Sequence, residues 1–126
     1  MGYTIWVDVE GRGPEDEVPA DNSIILSLEK PLAKLSSKLG VAKLAEFYAY
    51  EGGWFQKRRW FDPGRTLAAV TALHDHLERN FADLGFEPDA SRSNWPDMIM
   101  GELRECRRVL EAAMADGRKI RFLIVA

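Results

Sequence analysis

Hydrophobic and polar residues alternate at both ends of the chain and recur at helical spacing between them. From Tyr3 to Val9, Tyr3, Ile5, Val7 and Val9 fall on one face and Thr4, Trp6 and Asp8 on the other. From Lys119 to Val125, Ile120, Phe122 and Ile124 oppose Lys119, Arg121 and Leu123. A period of two sends successive side chains to opposite faces of a pleated strand, so both segments are predicted β-strands. They are expected to lie side by side. Antiparallel pairs outnumber parallel ones roughly two or three to one, which favours that arrangement, although a long helical connection also permits a parallel pair. Two strands alone are marginal in water. A further strand is expected at 47–50 or at 54–60, where Gly52 and Gly53 supply a turn.

Three helical patterns fill the middle. Asp21, Asn22 or Ser23 can cap a helix along which Ile24, Leu28, Leu32, Leu35 and Leu39 recur, and Gly40 suits its end. Pro31 removes a backbone bond and presses on the preceding turn, so this helix is expected to kink or split near Lys30. Val41 to Tyr48 is expected to add a turn or two, with Val41, Leu44, Ala45 and Tyr48 on one side. The second helix has the clearest start. Asp62 is an N-cap residue type, Pro63 fits the first helical position, and Leu67, Val70, Leu73, Leu77 and Phe81 form its stripe. The third starts at Ser93 or Asn94 with Pro96 in its first turn, buries Ile99, Leu103, Cys106, Leu110 and Ala113, and ends at Gly117. Its other side carries Arg104, Glu105, Arg107, Arg108 and Glu111, with Arg107 and Glu111 spaced to pair, and reads as a solvated face.

Together these elements predict a small α+β fold in β-α-α-α-β order over residues 1–126, with the N- and C-terminal strands pairing in a small sheet covered by about three to four helices. A chain of 126 residues buries roughly two-thirds of its unfolded surface, enough for one core. Hydrophobic residues make up 46% and charged residues 29%, an ordinary globular balance. The loop of about 10–22, EGRGPEDEVPADN, is acidic, carries little apolar surface, and is expected to be exposed and mobile. Neither a signal peptide nor a run of about 18 apolar residues is found, so a cytoplasmic protein without membrane association is expected.

Catalytic chemistry finds no sequence support. GRG in the acidic loop lacks the Walker and dinucleotide-fold spacings. His74 and His76 project about 200° apart on a helix, so they cannot grip one metal ion together, and no metal or cofactor is expected. His74 falls near Leu67, Leu77 and Phe81 and reads as a core-edge residue, His76 as surface. Cys106, the single cysteine, lies on an apolar stripe, where a buried thiol is a weak nucleophile. No GxSxG elbow occurs, and no spacing selects a carboxylate pair.

The most unusual window is WFQKRRWFDPGR, Trp54 to Arg65, which packs four aromatic and four cationic side chains together. Trp54, Phe55, Trp60 and Phe61 can bury as a wedge ahead of the helix. Alternatively, Trp54, Phe55, Arg58, Arg59, Trp60 and Arg65, with His74, form a site, since arginine and tryptophan are enriched at interface hot spots. Arg65 sits in the first helical turn, where free N–H groups favour an anion, with Asp62 taking part of that position. The acidic loop can also fold back onto these cations.

A fold that reads as complete beside chemistry that reads as absent points to a small soluble interaction protein of bacterial type. It would be an adaptor or inhibitor of a partner protein, without enzymatic activity. The alternative is a small-ligand or anion-binding enzyme or sensor built on an Arg/His/Trp pocket. A third reading, single-stranded nucleic-acid binding through Trp54, Phe55 and Trp60, is placed last by the net charge of −3.

Overall fold

A computed structural model describes residues 3–12, 21–50, 60–87 and 89–125. Strand β1 (Thr4–Val9) leads to helices α1 (Ser23–Ser27) and α2 (Glu29–Leu39), then to the short strand β2 (Tyr48–Tyr50). Helices α3 (Pro63–Arg79) and α4 (Trp95–Ala115) follow, and β3 (Ile120–Val125) comes last. Short 3₁₀ turns at Leu44–Phe47, Phe81–Leu84 and Ala90–Arg92 link them.

The sheet has the order β1-β3-β2, with β3 in the centre. β1 and β3 pair antiparallel from Thr4↔Val125 to Val9↔Ile120, the arrangement favoured over the parallel one. This register sets Ile5 beside Ile124 and Val7 beside Phe122 on the face that meets the helices, where all four are buried. Trp6 faces Leu123 and Asp8 faces Arg121 on the other side. The third strand falls at the first of the two expected places: Tyr48 to Tyr50 runs parallel along the free edge of β3, with Tyr48 opposite Phe122. Further along the same edge Phe61 bridges Ile120, each N–H donating to the other's carbonyl at 2.8 and 2.9 Å.

Helices α3 and α4 pack along one another over this sheet, α2 lies against α3, and α1 against α4 and β1. Leu73, Leu77, Ile99, Leu103 and Leu110 fill the centre with Phe47 and Phe122. All five residues expected inside α4 are buried, and Gly117, in the left-handed region at φ 68°, turns the chain into β3 as glycine readily does.

Four details of these expectations need correction. The first helix does split, but at Leu28, upstream of Lys30. The earlier break places Pro31 in the first turn of α2, where its missing N–H forfeits no helical bond. Asn22 takes the N-cap position of α1 but makes no side-chain cap hydrogen bond there. Glu102 of α4 supplies one instead, its carboxylate accepting the N–H of Ile24 at 3.1 Å and of Ile25 at 3.0 Å. In 44–47 the buried residues are Leu44 and Phe47, while Ala45 is exposed, because a 3₁₀ turn brings i and i+3 together. Along α3 the buried stripe is Thr66, Ala69, Val70, Leu73, His74 and Leu77. It is rotated from the expected one, with Leu67 at its margin and Phe81 beyond the helix in a 3₁₀ turn.

Candidate functional site

Of the seven candidate residues, Trp54, Phe55, Arg58 and Arg59 lie outside the described residues. Trp60, Arg65 and His74 can be placed. Trp60 is half-buried on the outer face of the sheet, where the Arg121 guanidinium stands 4.3 Å from its ring centroid. Arg121 in turn donates through Nε to Asp8 Oδ2 at 2.9 Å, both side chains being only 14% exposed. The register of β1 and β3 makes this stack possible, since it sets Asp8 directly across from Arg121. Phe61 follows, hydrogen-bonded to Ile120 and set edge-on to Phe47 with ring centroids 5.3 Å apart. The end of the aromatic–cationic stretch is therefore a wedge anchored to the sheet.

The next residue starts α3. Asp62 Oδ1 accepts the Gly64 N–H at 2.8 Å, the cap its residue type predicts. Arg65 Nη2 lies 3.3 Å from Glu46 Oε1, and its guanidinium stands 5.7 Å from the centre of the Phe47 ring. Asp62 and Glu46 thus already supply negative charge at the positive end of this helix.

His74 lies in the core margin at 3% exposure. Its Nδ1 is 3.0 Å from Asp75 Oδ1, and Arg107 of α4 reaches the same oxygen at 3.4 Å. The His74 hydrogen bond above all, aided by the nearby charges of His74, Arg107 and Arg79, holds the Asp75 carboxyl below the ordinary carboxylate value. The Arg107–Glu111 pairing expected from spacing gives way to this cross-helix contact, and Arg108 turns to Glu105 instead, with Nε at 3.0 Å from Oε2. Nine steps of helix separate Arg65 from His74, about 13 Å of rise and about two and a half turns, which sets them on opposite sides. The three placed candidates consequently do not surround one pocket.

His76, expected on the solvent side, is half-buried. Helix α3 ends at Arg79, and the turn Phe81–Leu84 folds back across its end, bringing Asp83 Oδ2 to 2.7 Å from His76 Nε2. Lys38 of α2 reaches the same oxygen at 3.0 Å. Hydrogen bonds from Lys38 and then His76 hold the Asp83 carboxyl below its usual range. Beside this junction opens a cavity of about 330 Å³ lined by Lys30, Pro31, Lys34, Leu35, Lys38, Asp83, Leu84 and Gly85. Its three lysines fall four residues apart along α2, a spacing visible in the sequence; the opposing wall comes from a turn that no local pattern reveals.

A second cluster also escapes sequence reading. Phe86 and Trp95 stack with centroids 5.5 Å apart, and the Arg92 guanidinium stands 5.2 and 5.3 Å from the two rings. Asp89 holds Arg92 at 3.0 Å, and this contact first, with the Ser91 hydroxyl, pulls its carboxyl down to about 2. Cys106 is buried, and desolvation raises its thiol well above the ordinary value. Among the described residues no group of three or more His, Cys, Asp or Glu side chains is placed to hold a metal ion, and no helix is long and apolar enough to cross a membrane. No protein-family model, curated protein or solved structure matches the chain.

Proposed function

We propose that this chain is a small non-enzymatic interaction protein, an adaptor or an inhibitor that engages a partner protein. The observation that carries this reading is the use made of the described ionisable groups. Asp8 with Arg121, His74 with Asp75 and Arg107, His76 with Asp83 and Lys38, and Glu102 with the start of α1 each join one element to another. Among the described residues neither histidine has a serine, threonine or cysteine side chain at hydrogen-bond distance that it could activate as a nucleophile. What remains outward-facing includes a cationic row on α2. Arg58 and Arg59 with Trp54 and Phe55, outside the described residues, stay candidates for the partner surface.

Purification from a native source under mild conditions tests the reading. One protein is expected to co-elute with the chain in fixed ratio through size exclusion and to be lost, at an unchanged thermal midpoint, with Arg58→Ala/Arg59→Ala. Elution without any stoichiometric protein, together with turnover of a small substrate, would replace the interaction reading with an enzymatic one.

A further inference from the structure

Lys30, Lys34 and Lys38 stand at intervals of four residues, so their Cα atoms rise about 6 Å per step along α2 and drift only about 40° around it. All three are exposed. A lysine row is ordinarily a solvated helix face. Here it is one wall of an open groove of about 330 Å³, because the turn carrying Asp83, Leu84 and Gly85 lines it as well. Leu35 and Leu84, both buried, form an apolar floor, and Pro31 also lines the groove. The charge of the lining is three lysines against one aspartate, in a chain whose net charge is −3.

The groove also contains an example of what it holds. Asp83 presents a carboxylate to Lys38 at 3.0 Å and is fixed from behind by His76 at 2.7 Å. Lys30 and Lys34, by contrast, have no carboxylate at ion-pair distance among the described residues. Two cations thus continue a row whose third member already grips a carboxylate. In an extended peptide, side chains on one face recur every two residues, roughly 6.7 Å apart. That repeat matches the rise between successive lysines.

From this we infer that the α2 groove is a binding site for an extended acidic peptide segment, with Lys30 and Lys34 taking carboxylates from alternate residues and the Leu35–Leu84 floor accepting the small side chains between. The inference rests on the interaction reading, since it names the chemistry of the partner. The peptide supplies acceptors only, so the fit is one of charge and spacing, and attraction should fall steeply with salt as exposed charges are screened.

A short synthetic peptide alternating glutamate with serine is the probe, added to the full chain at low salt while backbone amide shifts are followed by NMR. Shifts are expected along α2 and in residues 81–85, with affinity falling about tenfold in Lys30→Ala/Lys34→Ala, since two exposed ion pairs are lost. Both side chains are exposed, so this variant should melt with the wild type. Lys43→Ala/Lys119→Ala, which removes the same charge elsewhere, should bind as the wild type does. Shifts that map to another surface, equal binding by the glutamine-for-glutamate peptide, equal weakening by the two variants, or tighter binding of oligothymidylate than of the peptide would each overturn the inference. Because the probe is synthetic, its failure leaves the co-elution experiment intact, and a chain that binds the probe but has no stoichiometric protein partner would instead overturn the interaction reading.

Discussion

The Glu102 carboxylate lies 3.1 Å from the backbone nitrogen of Ile24, joining the middle of α4 to the start of a five-residue helix that has no side-chain cap of its own. A helix start leaves N–H groups without internal partners, and here a residue distant in sequence supplies the acceptor. The same Oε1 serves Ile25, so a single oxygen satisfies two donors. Burial is the largest influence on this carboxyl and raises it above the ordinary value, against the lowering effect of the two N–H groups.

Glu102→Ala should therefore cost about 1–3 kcal/mol, the range for leaving buried donors unsatisfied. Glu102→Gln keeps an acceptor and removes the charge. A group whose folded-state value is raised contributes stability below its unfolded value and loses it as pH rises through the folded one. The wild type should accordingly lose ground to Glu102→Gln between acidic and neutral pH. Urea melts of the three proteins across that interval measure it; a wild type that gains on the glutamine variant with rising pH would show that the carboxylate is preferred ionised.

The stack of Trp60, Arg121 and Asp8 should behave as a coupled unit. Removing Arg121 leaves Asp8 largely buried without its partner, so Arg121→Ala is expected to cost about 1–3 kcal/mol. In a double-mutant cycle of Trp60→Leu with Arg121→Ala, a coupling of about 0.5–2 kcal/mol is expected from the cation over the ring. Strict additivity would show that the ring only covers the sheet.

Helix α3 gives an internal comparison. Leu73→Ala empties a fully buried position and should cost about 2–5 kcal/mol, whereas His76→Ala should cost clearly less while still exceeding the exposed Glu78→Ala. The Asp83 link adds a pH signature. Its carboxyl is lowered from 3.8, so its contribution is present above that value and disappears as pH falls through the lower folded one. The gap in thermal midpoint between wild type and Asp83→Asn should close on acidification; a gap constant with pH would separate Asp83 from the stability of the junction.

The parts of this fold legible in sequence are those set by local periodicity. The inner face of α4 and the strand character of β1 and β3 follow directly from spacings of 3.6 and two, while their antiparallel pairing is favoured only by the commoner occurrence of such pairs. What periodicity does not contain is which distant group satisfies a local need. Asn22 and Ser23 have the residue types of a cap, yet the carboxylate comes from Glu102, and Arg107 turns from Glu111 to Asp75 because α3 lies beside it. The aromatic–cationic stretch was legible as unusual. Its described end is fixed by a long-range pairing of Phe61 with Ile120 that no neighbouring residue announces. The lysine spacing of the α2 groove stood in plain view, but a groove needs two walls, and the second depends on how α3 terminates.

The central position of β3 has a consequence for the order of assembly. β1, β2 and Phe61 all pair with that one strand, which follows every other element in the chain. Val9 meets Ile120 across roughly 110 residues. At a synthesis rate of about 5–20 residues per second, β1 would wait roughly 5–20 s for its partner. Until then β1 can meet only α1 and α4, and the sheet closes last, when β3 takes its place between β1 and β2.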